Sequence, residues 1–143
     1  MRSALLLFFV LLLRLPVSTQ VTASLPQAIV DSTESVRLLP NVKPLYGVAS
    51  YYADKFVGRE TANGEYYSHI KMTAACNRLP LNTWIRVTNL RNKRTVVVKV
   101  NDRLHPKNPR VVDLSRVAAE KLGYIGYGLA QVKVEVLIRK NAH

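Results

Sequence analysis

The stretch Leu129-Ala130-Gln131-Val132-Lys133-Val134-Glu135-Val136-Leu137 alternates cleanly, with Val132, Val134 and Val136 on one side and Gln131, Lys133 and Glu135 on the other. A period of two is the signature of a strand with one buried face and one wet face. Such a strand needs partners on its edges and a core beneath it, and the chain supplies both. Gly47-Val48-Ala49-Ser50-Tyr51-Tyr52 alternates small and aromatic residues. Thr83–Leu90 alternates less perfectly, with Ile85, Val87 and Leu90 reading as inward, and Arg94–Val100 is β-branched enough for a buried strand. Between those two, Arg91-Asn92-Lys93 predicts a hairpin turn, with Asn92 suited to a left-handed backbone. Only Ser115–Leu122 reads as a helix, with Ser115 at its N-cap and Gly123 at its C-cap. Five or six short strands, with one helix between the last two, predict a small closed barrel whose closure removes the exposed edges.

Composition narrows the class. One cysteine allows no internal disulfide, so the core alone must supply stability, and a disulfide-stapled mini-domain is excluded. Arg2 followed by the apolar run Ala4–Leu13 and the small-x-small pattern Val21-Thr22-Ala23 reads as a secretory signal over 1–23. The run is shorter than the roughly 20 apolar residues of a spanning helix. No cysteine lies near that site, so a lipid-modified N-terminus has no attachment atom and the protein is expected to be exported, periplasmic or secreted, without being a lipoprotein. Residues 24–44, polar and carrying Pro26, Pro40 and Pro44, read as a flexible leader, and 45–139 as the folded domain. The chain carries 21 Lys and Arg against nine acids; losing Arg2 and Arg14 leaves 19, a net charge of +10. That charge suits a polyanionic neighbour, and export argues against nucleic acid.

Three carboxylates fall at strand or loop ends. Glu65 follows the turn pair Asn63-Gly64, Asp102 ends the Val96–Val100 strand, and Asp113 lies after Val111-Val112 and before the helix. The structural alternatives stay open: Asp102 can bind amides of its own loop, and Asp113 can cap the helix. Cys76 with His69 or His105 spells a thiol nucleophile on paper, but a lone cysteine after two alanines is more often a small buried hydrophobe. No ligand pair has zinc spacing, and no glycine-rich phosphate loop is present, so no metal or cofactor is expected. Trp84 reads as core. Tyr66 and Tyr67, beside Glu65, are the aromatic candidates for lining a binding groove.

Taken in order, Gly47–Tyr52, Phe56-Val57-Gly58, Thr61-Ala62-Asn63-Gly64-Glu65, Thr73-Ala74-Ala75, Leu79-Pro80, Val87–Leu90, Asn101-Asp102-Arg103 and Asp113-Leu114-Ser115 resemble successive blocks of the rare lipoprotein A (RlpA-like) family over nearly all of Tyr46–Leu137. The resemblance implies a mainly β fold, a six-stranded double-psi β-barrel with one short helix near the C-terminus. It also implies lytic transglycosylase activity on peptidoglycan glycan strands, preferably those stripped of stem peptides. In that reaction one acid protonates the glycosidic oxygen, and its carboxylate then deprotonates the C6 hydroxyl of the same sugar, leaving a 1,6-anhydro-muramic end. Asp102 is expected as acid/base, Glu65 as the coupled or orienting carboxylate and Asp113 third. Tyr67, Tyr66, Asn63, Arg103, Asn101 and position 76 would line the substrate groove.

The chain departs from the family where Cys76 replaces the His of Thr-Ala-Ala-His, where Ser68 replaces an Asp, and where Leu104-His105-Pro106 replaces the Gly-Pro after the Asn-Asp-Arg triplet. A thiol cannot shuttle protons as an imidazole does. The rival expectation is therefore a non-catalytic peptidoglycan-binding or expansin-like wall-loosening module. A monomer is expected, brought to the wall by charge or by a cell-division or wall-synthesis protein.

Overall fold

A computed structural model of the chain describes residues 36–139. The expected signal sequence and residues 24–35 of the expected leader lie outside the described residues. Seven strands form one sheet: β1 (Val36–Leu38), β2 (Leu45–Tyr51), β3 (Thr73–Ala75), β4 (Trp84–Asn89), β5 (Thr95–Asp102), β6 (Val112–Leu114) and β7 (Ala130–Arg139). The spatial order is β1-β7-β2-β6-β3-β5-β4, and pairing of β4 with β7 closes six of the strands into a barrel. β2 runs parallel to β6, and β3 parallel to β5, while all other neighbours are antiparallel. The two parallel pairs are the interlocked crossings of a double-psi barrel. β1 adds to the outside of β7, and the amide of Leu39 continues it by donating to Val136 O at 2.9 Å. Over Val36–Leu39 the expected leader is not loose chain, since all four residues find a partner in the distal end of the ten-residue β7.

The core is branched and dense. Ile85 and Val87 of β4, Val96, Val98 and Val100 of β5, and Val132 and Val134 of β7 all point into the barrel. On β4 the inward third position is Asn89, not Leu90. Its buried amide donates to Leu122 O at 3.2 Å and its carbonyl accepts from the Arg91 amide at 2.9 Å. A buried polar group satisfied at both ends is tolerated where an isolated one is not. Trp84 alternates with the buried Ile85 and is only half-buried, so it is not a core residue as expected. Along β7 the alternation lapses after Glu135, where Leu137 rather than Val136 is buried.

The expected helix is α1 (Arg116–Leu122), which packs Ala118, Ala119 and Leu122 against the barrel. Gly123 ends it at φ +79°, the left-handed conformation that glycine adopts without strain. Ser115 occupies the N-cap position, but its hydroxyl makes no capping bond. The β4–β5 turn reaches this helix end: Asn92 Nδ2, like Asn89, donates to Leu122 O, at 3.0 Å. That task keeps Asn92 out of the left-handed region, which falls instead to Lys93 at φ 63°. Among the described residues no helix is long and apolar enough to cross a membrane.

Candidate functional site

Register alone brings two of the three acids together. Ala75 of β3 pairs with Asp102 on β5 and with Asp113 on β6. The two acids thus flank a central alanine two strand spacings apart, about 10 Å between backbones. The register shifts between Ala74 and Ala75, so that β5 carries one extra residue, Asn101, opposite β3. A bulge of this kind re-aims side chains at a strand end. Because residue 75 is only a methyl group, a cavity of about 500 Å³ opens there, and Asp102, Arg103, Arg110 and Asp113 line it with Tyr52 and Phe56.

Asp102 is held by three donors. Oδ2 accepts from the Tyr52 hydroxyl at 2.7 Å, and Oδ1 accepts from the amides of Ala62 and Arg103 at 2.9 and 2.8 Å. A carboxylate offers about four lone-pair positions. Both on Oδ1 are filled, and Oδ2 retains one beside the cavity. Burial first, and then the Asp102 carboxylate, push the Tyr52 phenol far above its ordinary value, so it stays protonated and donates. Its ring is fixed by stacking on Tyr67 (centroids 4.2 Å apart, planes at 19°) and by the edge of Phe56 at 5.6 Å.

Asp113 meets Arg110 in a two-pronged ion pair at 2.7 and 2.8 Å. This bond holds the guanidinium charged above its ordinary value. Asp113 is thus a paired acid in the cavity wall and makes no helix-capping bond.

Glu65 goes elsewhere. Its carboxylate is clamped by Lys99 Nζ and by Asn101 Nδ2, and it does not line the cavity. Lys99 above all, then Asn101, hold its pKa at about 2. Expected as a coupled or orienting carboxylate, it does not face Asp102 directly and anchors a turn instead. Glu65 O accepts from the amide of Thr61 at 2.7 Å, Asn63 N donates to Asn101 O at 3.1 Å, and within that turn Ala62 presents its amide to Asp102. Glu65 and Asp102 are linked through the loop rather than facing each other.

The remaining expected groove residues divide. Arg103 lines the cavity, its Nη1 braced on the carbonyls of Cys76 and Leu79. Asn63 ties the turn to Asn82 Oδ1 at 3.0 Å, and Asn101 is 2% exposed, so both shape the rim from behind. Tyr67 is 3% exposed beneath Tyr52, with its hydroxyl on His69 Nδ1 at 2.8 Å, and cannot touch a ligand. Tyr66 is exposed but does not line the cavity. Cys76 is fully buried in the core cluster, although its amide donates to Asp102 O at 3.0 Å. That overturns its assignment to the groove, because the side chain points into the barrel. His69 is engaged with Tyr67 and Asp54, while His105 lines the cavity. Sequence reasoning missed Tyr52, Lys55, Phe56 and Arg110. Only the small-aromatic alternation ending at Tyr52 hinted at any of them. Among the described residues, no three His, Cys, Asp or Glu side chains gather as a metal site would require.

Known proteins resemble this domain in sequence and in fold. A family model described as lytic transglycolase matches residues 45–134. The endolytic peptidoglycan transglycosylase RlpA of Pasteurella multocida is 50% identical over 91 residues, covering 64% of this chain and 31% of its own length. That of Pseudomonas aeruginosa (strain PAO1) is 54% identical over 91 residues, covering 64% of this chain and 27% of its own. The probable enzyme of the same name from a Nostoc species is 48% identical over 124 residues, or 85% of this chain and 31% of its own. The chain therefore spans about a third of the length of the curated relatives it matches. Among solved structures, a Streptomyces papain inhibitor superposes with a TM-score of 0.55 at 24% identity, over 71% of this chain and 99% of that one. A Clavibacter michiganensis expansin bound to cellohexaose gives 0.54 at 20%, over 71% and 53%. At those identities the likeness is one of fold. On the match across residues 45–134 and the closed barrel that carries it, the chain belongs to the RlpA-like family of double-psi β-barrel lytic transglycosylases.

Proposed function

We propose that this domain cleaves peptidoglycan glycan strands as a lytic transglycosylase, with Asp102 as the acid and base. It is supported by relatives named as endolytic peptidoglycan transglycosylases, and it implies an extracytoplasmic site of action. The observation that carries it is the fixed orientation of Asp102 in an open cavity, with one Oδ2 position left for a transferring proton.

Asp102 enters as the carboxylic acid and gives its proton to the glycosidic oxygen as the bond to the anomeric carbon breaks. The C6 hydroxyl of the same sugar then closes onto that carbon, and Asp102 takes its proton. No water is consumed, and the acid is restored. The oxocarbenium-like charge that develops is met by the Asp102 carboxylate, while Asp113, ion-paired with Arg110, shapes the wall across Ala75. Tyr52 sets the plane of the reacting carboxyl, and Glu65 acts at a distance by holding the turn that supplies the Ala62 amide.

The test is incubation of protein with sacculi denuded by an amidase, followed by mass analysis of the soluble fraction. Anhydro-ended glycans are expected from the native chain and not from Asp102→Asn. Tight binding with no anhydro product at high protein concentration would favour the non-catalytic module, the reading that replacement of the family His by Cys76 invites.

A further inference from the structure

The cavity beside Asp102 is the first of three that share walls. Arg110 lines it and also lines a second cavity of about 300 Å³, formed with Val48, Pro109 and Leu129. Leu129 in turn lines a third, of about 230 Å³, together with Arg91 and Tyr127. The strand register explains the path: Val48 of β2 pairs with Gln131 of β7, so the loop before β7 lies beside the loop before β6, where the Val111 amide donates to Val48 O at 2.9 Å.

At the far end, Tyr127 sits on a short 3-10 turn (Ile125–Tyr127) between Gly126 and Gly128, where an added Cβ would meet no heavy atom within 4 Å. The Arg91 guanidinium lies 4.2 Å from the centroid of its ring. A cation over an aromatic face fixes both groups in place. The ring nonetheless remains 64% exposed and Leu129 54% exposed. Single exposed apolar residues need no explanation, but apolar walls in sequence along connected concavities mark a binding track.

We propose that Tyr127 and Arg91 form a distal subsite for the same glycan strand that occupies the Asp102 cavity, a proposal that rests on the peptidoglycan reading above. The walls shared with that cavity select the occupant: a polymer held at Asp102 and running past Arg110 and Leu129 reaches Tyr127 and Arg91. Its chemistry fits. Pyranose C–H faces pack on an aromatic platform, and the lactyl carboxylates bared when stem peptides are removed are anions for Arg91, whose guanidinium lines this cavity. The subsite thus selects long, peptide-free strands.

The experiment measures binding of fluorescein-labelled denuded glycan, sorted by length, to the Asp102→Asn chain, in which turnover cannot interfere. Adding Tyr127→Ala or Arg91→Ala should weaken binding of long strands about tenfold and leave a single disaccharide unaffected. Converting the strand carboxylates to amides should abolish the Arg91 effect. Thermal melts check folding, and Tyr127→Phe, which keeps the ring, should rescue. Unchanged affinity for long strands, or equal weakening for disaccharide and polymer, overturns the subsite. Failure of the lytic reading shows separately, as absence of anhydro ends from the native chain, and leaves the binding comparison readable.

Discussion

The clamp on Glu65 gives a pH-dependent stability that can be worked through. Its carboxyl falls from an ordinary 4.5 to about 2 because Lys99 and Asn101 bond the ionised form. At 1.36 kcal/mol per unit, that lowering corresponds to about 3 kcal/mol. The side chains are 32% and 27% exposed, so solvent screening reduces the contribution to about 1–2 kcal/mol. A group whose folded pKa is depressed stabilises above its unfolded pKa, and the contribution is lost as pH falls through the folded value. Glu65→Gln keeps the shape and removes the charge, but leaves one accepting oxygen where the carboxylate offers two, much as the protonated acid does. At pH 7 it should lower Tm by about 5–10 °C, given roughly 4–8 °C per kcal/mol for a domain of this size. The difference from the native chain should hold down to about pH 5, shrink between 4.5 and 2, and nearly vanish at pH 2. Circular-dichroism melts across that range measure it. A gap of equal size at pH 7 and pH 2, or none at pH 7, would refute the reasoning, since the carboxylate would then not be the stabilising species.

Tyr52→Phe removes the only hydroxyl on Asp102 Oδ2 but keeps the stack on Tyr67. It should lower the rate of anhydro-product release about 10- to 100-fold, the scale of a hydrogen bond to a charged group, with Tm nearly unchanged. An unaltered rate would remove Tyr52 from the mechanism. Gly123→Ala forces a side chain onto φ +79° and sets a methyl 2.9 Å from Arg94 Nη1 and Asn92 Nδ2. It should cost about 1–2 kcal/mol in chemical denaturation. Cys76→His inserts an imidazole where exposure is zero and should destabilise by about 1–3 kcal/mol through overpacking. A gain in product release at unchanged Tm would instead mean that the new ring turns toward Asp102.

What could be read from residues alone was whatever is local. The strands β4, β5 and β7, the helix and its glycine stop are near-neighbour facts and stand about where they were expected, although Asn89 takes the inward place of Leu90 and Leu137 that of Val136. Asn89 and Asn92 escaped because their partner, Leu122 O, lies about thirty residues away in the chain, and a pattern read along one strand cannot see a carbonyl on a helix. Glu65 was expected as a coupled or orienting carboxylate, and its clamp escaped for the same reason: Lys99 and Asn101 lie more than thirty residues along the chain and intercept it first. Asp102 and Asp113 line one cavity, yet their meeting depends on Ala75, a residue with nothing chemical to advertise. Cys76 was legible as a buried hydrophobe by its type and illegible as a groove residue, because the bulge that re-aims side chains at this rim has no mark in the sequence.

β7 joins β1, β2 and β4 at once, and among the described strands it comes last in chain order. A nascent chain that stops short of residue 130 carries β2 and β4 with bare edges and a valine-lined interior open to solvent. Its ring cannot shut until that ten-residue stave arrives, so closure depends on contacts between distant parts of the sequence. Such a chain stays threadable for as long as it is incomplete, and it is most vulnerable to self-association during that same interval.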